Sequence, residues 1–214
     1  MSLTDKIFPL YLVTGRKINK PISDFLTDIE DCLKVGAKLI QLREKGISAK
    51  YFLEISKGIA SFKNSFKFTF FVNDRPDIAF ISGADGVHVG QEDVPPEYVK
   101  KFFPKLLVGV STHSELEFEM AMNKNVDYVA LGPIFKTITK PKSVPVGIGL
   151  LKKVRKISQK PIVAIGGINL ENFIEVLEAG ADSVAVCSDI FNAKTPAKRV
   201  EEYIDKLTKN GFLL

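Results

Sequence analysis

Several short apolar runs in this chain end in a knot of polar side chains. Leu39-Ile40 passes into Gln41-Leu42-Arg43-Glu44-Lys45, and Phe70-Phe71-Val72 into Asn73-Asp74-Arg75. Val87-His88-Val89 passes into Gly90-Gln91-Glu92-Asp93, and the run 129–135 into Lys136-Thr137-Ile138-Thr139-Lys140. A strand interior has no use for such groups, whereas a site built at the carboxyl ends of parallel strands does. Cations, carboxylates and hydroxyls in company suit a metal ion and a phosphorylated ligand together.

Gln41, Arg43 and Lys45 alternate, so they share one face at the end of a strand. Two cations on a mostly buried face are costly unless anions meet them. Protein carboxylates in a salt-bridge layer would serve. So would phosphate oxygens of a ligand, with Arg43 as a bidentate fork and Lys45 as a point charge, and this is the stronger expectation. Asp74 and Asp93 end successive strand units, which brings them close at a barrel mouth. Each alone reads as a helix cap. As a pair beside cations they read as ligands for one Mg²⁺, which takes one or two carboxylates and then substrate phosphates.

His88 reads as a packed, hydrogen-bonded histidine rather than a base. Ser111 and His113 share a face after Gly109; they bond a ligand or cap the helix that begins at Ser114. Thr137, Thr139 and Lys140 lie on a polar loop running to about Val146, of the length and character of a substrate loop or of an ordinary solvated one. Gly166-Gly167 and Ser188 follow the seventh and eighth strands, where many barrels bind phosphate through backbone N–H groups. The competing reading is that the glycines only make a tight turn.

The elements that must position these groups are eight strands: 9–14, 38–43, Thr69–Asn73, 86–90, 107–111, 128–132, Ile162–Ile165 and 183–187. Their near-continuous apolar character suits strands covered on both faces. Helical patterns lie between them. One runs over 23–35 and stops at Gly36; another runs over 170–179 and stops at Gly180. Ser48, Ser114 and Asn169 sit where N-caps belong, and Glu117 completes a capping box after Ser114. Pro95-Pro96 and Pro196 open further helices, and 74–82 holds a short one. The 214 residues divide into eight units of about 27, close to a minimal βα repeat. No linker divides the chain, so we expect one (β/α)8 barrel over residues 1–214. The rival, an open doubly wound sheet, lacks its usual GxGxxG loop after Val13.

Composition narrows the function classes. Hydrophobic residues make up 45%, enough for a sizeable core. The net charge of +5 is modest, with 25 acidic residues interspersed among 30 basic ones. Basic runs such as Lys152-Lys153-Val154-Arg155-Lys156 read as solvated helix faces, so no nucleic-acid partner is expected. Cys32 and Cys187 could form one bridge, but they read as two buried, reduced thiols without zinc-type spacing. With no signal-type N-terminus and no spanning apolar run, a soluble cytoplasmic protein without a membrane partner is expected, possible as a homo-oligomer.

The ordered set QLREK at 41–45, ND at 73–74, GVHVGQED at 86–93, GVSTHS at 109–114, DYVALGPIF at 127–135, TITK at 137–140 and PIVAIGGI at 161–168 resembles the thiamine-phosphate synthase family over nearly the whole chain. The resemblance implies a TIM-type barrel. It implies an enzyme that joins 4-amino-5-hydroxymethyl-2-methylpyrimidine diphosphate to a hydroxyethylthiazole phosphate, or its carboxylated form, releasing pyrophosphate. Carried over by motif, Gln41, Arg43, Lys45 and Asn73 line the pyrimidine diphosphate site, and Asp74 and Asp93 ligate Mg²⁺. Ser111, Thr137, Thr139 and Lys140 hold the leaving pyrophosphate or the substrates around it. Gly167 and the strand-eight end at Cys187 and Ser188 hold the thiazole phosphate. Arg43, Lys45, Ser111 and Lys140 form the implied catalytic set. The aminopyrimidine ring stabilises a cation at its methylene as pyrophosphate departs, and the thiazole nitrogen attacks it. Little acid–base work is needed, which agrees with the lack of a nucleophile–base pair.

A related subfamily, the thiazole tautomerases, carries a His where this chain has Pro133 and tends to lose the aspartates. Pro133, Asp74 and Asp93 favour the synthase. A non-catalytic barrel that keeps the phosphate sites is the third reading. Lys136, where Pro is common, and Pro141 depart from the synthase pattern and bear on the loop rather than the chemistry.

Overall fold

The structure is a computed structural model that describes residues 8–15, 20–138 and 142–212. Its strands are β1 (Leu10–Val13), β2 (Leu39–Leu42), β3 (Thr69–Asn73), β4 (Gly86–Val89), β5 (Leu107–Thr112), β6 (Tyr128–Leu131), β7 (Ile162–Ile165) and β8 (Ser183–Val186). All pair in parallel with their sequence neighbours, and β1 pairs with β8 through Leu12↔Val186, which closes the barrel. The helices are α1 (Ile22–Lys34), α2 (Ala49–Ser61), α3 (Pro76–Ser82), α4 (Pro96–Phe102), α5 (Glu115–Met122), α6 (Gly147–Arg155), α7 (Phe173–Glu178), α8 (Ser188–Phe191) and α9 (Pro196–Lys209). Among the described residues no helix is long and apolar enough to cross a membrane.

Strand alternation sorts the barrel into two cores. Leu10, Leu12, Ile40, Leu42, Phe70 and Val72 face outward and pack beneath the helices. Tyr11, Val13, Leu39, Phe71, Tyr128 and Ala130 face inward and fill the barrel. Each fully buried aliphatic side chain contributes about 1.5–3 kcal/mol. Two inward aromatics need glycine opposite them. A Cβ on Gly109 would lie inside the ring of Tyr128, and one on Gly86 inside that of Phe71.

The expected caps form where short polar side chains precede the helices. Ser48 accepts from Tyr51 N–H and Ser114 from Glu117 N–H, while Glu117 reaches back to the N–H of His113 at 2.7 Å. The stop at Gly36 uses a positive φ of 108°. Most boundaries fall within a residue of the sequence expectation. The short helix expected within 74–82 is α3, which opens at Pro76; Asp74 is left-handed and lies outside it. α7 begins at Phe173 rather than 170, because Asn169 Oδ1 accepts from the N–H groups of Glu171 and Asn172 and caps a preceding turn.

The amino-terminal end of the barrel carries a repeated clip. Asp85, Asp127 and Asp182 directly precede β4, β6 and β8. Each accepts the first or second N–H of the preceding strand, from Phe70, Val108 and Ile162, at 2.7, 2.6 and 2.7 Å. Each also pairs with a cation, Lys63, Lys100 or Arg155. Cys32 and Cys187 are both free thiols; Cys32 is buried as expected, whereas Cys187 is only half-buried because it directly follows β8 at the mouth.

Candidate active site

The carboxyl ends of the strands surround a cavity of about 410 Å³, within the usual range for a small-molecule site. Gln41, Arg43, Lys45, Asn73, Asp74, Asp93, Ser111, Thr137, Gly167, Cys187 and Ser188 all line it. Thr139 and Lys140 lie outside the described residues. The residues singled out on separate strands thus meet in one concavity.

β2 delivers the cationic wall. Thr14, fully buried, takes the N–H of Arg43 at 2.9 Å and donates to its carbonyl at 3.3 Å, fixing the strand end. Among the described residues the Arg43 guanidinium has no carboxylate partner, so a salt-bridge layer does not form around it. Lys45 Nζ instead reaches Asp74 Oδ2. Asn73 is buried and turns its amide to the cavity.

The two aspartates are not helix caps. Arg75 is the N-cap of α3 and Pro95 that of α4, and neither helix has a side-chain cap bond. Asp93 Oδ2 accepts from Gly90 N–H at 2.7 Å. Asp74 has φ 64°, the only positive value at a non-glycine among the described residues. A left-handed Asp costs free energy that a loop would ordinarily avoid, and such strain gathers at functional sites. Burial pushes the Asp93 carboxyl up, and the neighbouring Asp74 adds to it by hydrogen bonding and charge; Gly90 N–H and Lys45 act the other way. Two neighbouring carboxylates call for a cation between them. Among the described residues no cluster of three or more His, Cys, Asp or Glu gathers, so a metal here would take two protein ligands and fill its shell from elsewhere.

Opposite lies the β7–β8 wall. Gly166 (φ 100°) and Gly167 (φ 67°) pack against the loop after β6, with Phe135 N–H bonded to the Gly166 carbonyl at 2.9 Å. A side chain at Gly167 would strike Lys136 O, so turn and close approach both demand glycine. Cys187 and Ser188 stand at the start of the four-residue α8.

The floor is polar and was only half visible in the sequence. His88 bonds through Nδ1 to Tyr128 Oη and through Nε2 to Ser111 Oγ, both at 2.8 Å, as a packed rather than an isolated histidine. Tyr128 meets Tyr11, and Gln41 Nε2 donates to Tyr11 Oη at 2.9 Å. Burial raises both phenols still further above the physiological range, so both stay protonated. Ser111 therefore bonds His88, and capping of α5 falls to Ser114. His113 Nδ1 lies 2.5 Å from the Gly132 carbonyl. Tyr11 and Tyr128 were missed because phenols in apolar strands look like core. Their inward parity, two residues before Val13 and Ala130, was the available signal.

Fold and mouth together define a (β/α)8-barrel enzyme whose working groups come from the ends of several strands. Residues 10–190 match the family described as thiamine monophosphate synthase. A thiamine-phosphate synthase of Methanococcus maripaludis is 36% identical over 209 residues, covering 98% of this chain and 99% of that protein. One of Gloeobacter violaceus is 37% identical over 201 residues; this chain spans 58% of its length. The solved thiamine phosphate pyrophosphorylase of Pyrococcus furiosus superposes with a TM-score of 0.87 at 34% identity, covering 97% of this chain and 98% of that one. The 3-hexulose-6-phosphate synthase of Salmonella typhimurium, at 15% identity and a TM-score of 0.70 over 94% of this chain and 99% of its own, shares the fold alone. The chain belongs to the thiamine monophosphate synthase family, a family of enzymes.

Proposed function

We propose that the cavity condenses 4-amino-5-hydroxymethyl-2-methylpyrimidine diphosphate with 4-methyl-5-(2-hydroxyethyl)thiazole phosphate, or its carboxylated form, to give thiamine phosphate and pyrophosphate. The observation that carries this is the division of one mouth into two walls. Cations and paired carboxylates stand on β2–β4, and a glycine turn with a serine stands across from them on β7–β8. Two phosphorylated substrates fit such a mouth with their reacting atoms between the walls.

In this reading Arg43 grips the diphosphate as a fork, and Lys45 exchanges Asp74 for phosphate oxygens. Ser111 and Thr137 hydrogen-bond the same group, with Thr139 and Lys140 assigned there by family resemblance. Gln41 and Asn73 orient the pyrimidine ring. Gly167, Cys187 and Ser188 receive the thiazole phosphate and set its ring nitrogen towards the methylene carbon. Asp74 and Asp93 fit a Mg²⁺ ion, since two neighbouring carboxylates, one resisting ionisation, are relieved by a divalent cation. That ion would neutralise charge growing on the departing pyrophosphate. Burial and proximity do the rest, because a stabilised cation trapped by a bound nitrogen asks for little proton transfer.

The test mixes both substrates with the protein and Mg²⁺ and follows thiamine phosphate and pyrophosphate. We expect equal amounts of both products, and their loss with EDTA. No product under conditions where a relative such as the M. maripaludis synthase turns over sinks the proposal. Isomerisation of a thiazole carboxylate phosphate without pyrophosphate release would point to the tautomerase reading.

A further inference from the structure

Gln41, Tyr11, Tyr128, His88 and Ser111 form one unbroken hydrogen-bonded chain across the barrel floor, with links of 2.9, 3.1, 2.8 and 2.8 Å. Tyr11, 1% exposed, and Tyr128, 0%, lie deepest, with Gln41 at 4% and His88 at 8%. Both ends of the chain border the cavity. Among the described residues Gln41 Oε1 has no hydrogen-bond partner, and it is not shut away from the cavity that Gln41 lines. Ser111 Oγ borders the same cavity at the other end.

Proton counting gives this chain a direction. An amide nitrogen only donates, each phenol has one proton, and a neutral imidazole has one. With the Gln41 nitrogen on Tyr11, the Tyr11 proton goes to Tyr128 and the Tyr128 proton to His88 Nδ1. His88 then carries its proton on Nε2 and donates to Ser111, whose own proton is left for the cavity. If the Gln41 amide turns over, every link reverses. Ser111 then spends its proton on His88 and offers the cavity only lone pairs. Mixed arrangements strand a phenol proton in the buried floor, where an unmet polar group is most costly.

We propose that this chain couples the two ends of the cavity: a ligand amino group on Gln41 Oε1 holds the amide nitrogen on Tyr11 and so makes Ser111 a donor to an anion. Tyr11, Tyr128 and His88 are positioning residues in this scheme. The inference rests on the aminopyrimidine diphosphate reading, which supplies an amino group at one end and an anion at the other. Recognition of the ring and stabilisation of the leaving group are then linked through the protein as well as through the substrate.

Two measurements test it. The first is ¹⁵N NMR of the imidazoles with 4-amino-5-hydroxymethyl-2-methylpyrimidine bound, which needs no turnover. The chain has two histidines, and His113→Gln assigns them. We expect His88 protonated at Nε2 and His113 at Nδ1, the nitrogen on the Gly132 carbonyl. His88 protonated at Nδ1, or at both nitrogens, overturns the inference whether or not the protein is a synthase.

The second is a double-mutant cycle of Gln41→Leu with Ser111→Ala in kcat/KM. It is run in the parent and in Tyr128→Phe, which keeps the ring but cuts the chain. We expect a coupling on the order of fivefold in the parent that disappears in Tyr128→Phe. Coupling through the substrate alone would survive the cut and would overturn the proposal. If Tyr128→Phe does not fold, Tyr11→Phe cuts the next link and is read in the same way.

Discussion

At the scale of single residues, the pair Asp74–Asp93 sets the proposed metal site against stability. Asp74 occupies a left-handed backbone, and Asp93 is pushed up by burial and then by its neighbour. A carboxyl raised in the folded state contributes stability that is fully present below its ordinary 3.8 and is lost as pH rises through the raised value. At neutral pH the ionised Asp93 therefore weakens the metal-free protein. Asp93→Asn keeps an oxygen for Gly90 N–H and removes the charge. We expect its thermal midpoint in EDTA to equal or exceed that of the parent, while synthase activity falls by at least about 10²-fold. Calorimetry beside the product assay checks both. A large drop in midpoint would make Asp93 a structural anchor and undo the assignment to metal.

At the scale of elements, the two ends of the barrel are built for different purposes. The carboxyl ends hold exposed charges and a strained turn, whereas the amino ends hold the Asp85, Asp127 and Asp182 clips. Each clip ties an even strand to the odd strand before it and to a helix cation, so it acts on register and on closure together. Asp127→Ala leaves Val108 N–H without its acceptor and Lys100 without its carboxylate, with only the Leu106 carbonyl at 3.0 Å left to it. We expect a loss of about 2–3 kcal/mol in urea unfolding. The same variant should keep kcat/KM within about twofold of the parent, because the clip lies at the end remote from the mouth. A stability loss confined to a few tenths of that size would show the clips to be ornamental.

At the scale of the whole molecule, the interior holds titratable groups that set an alkaline limit. Burial first, then Asp28 and Asp31, push the Cys32 thiol up from its ordinary 9.0 to about 12. A raised folded value means that the thiol supports the fold below pH 9 and loses that support as pH climbs from 9 towards 12. The tyrosines Tyr11, Tyr128 and Tyr203 are raised as well and add the same sign above pH 10. Stability should fall above pH 9 with a slope that approaches about 1.4 kcal/mol per pH unit for the thiol alone. Cys32→Ala should be less stable at pH 7 and flatter between pH 8 and 9, where the unfolded tyrosines, with an ordinary value of 10.0, are still almost wholly protonated. Urea midpoints at four pH values across that interval decide it. An unchanged slope would assign the alkaline limit to other groups.

What the residue order determined was whatever depends on local chemistry. Apolar runs of strand length, glycine stops and serine caps recur at barrel spacing, so the closed fold and most of its elements were legible in advance. The polar knots at strand ends were legible too, because a cation such as Arg43 has no reason to sit on a buried strand unless something binds it. The tertiary structure decided what depends on parity and on partners from distant strands. Closure of β1 on β8 places Tyr11 against Tyr128, residues 117 apart, and only Gly109 beside them leaves room for the second ring. The left-handed Asp74, its contact with Asp93, and the bond that draws Ser111 to His88 likewise arise between strands. No local pattern encodes them, because each is set by where two separate chain segments cross the same barrel wall.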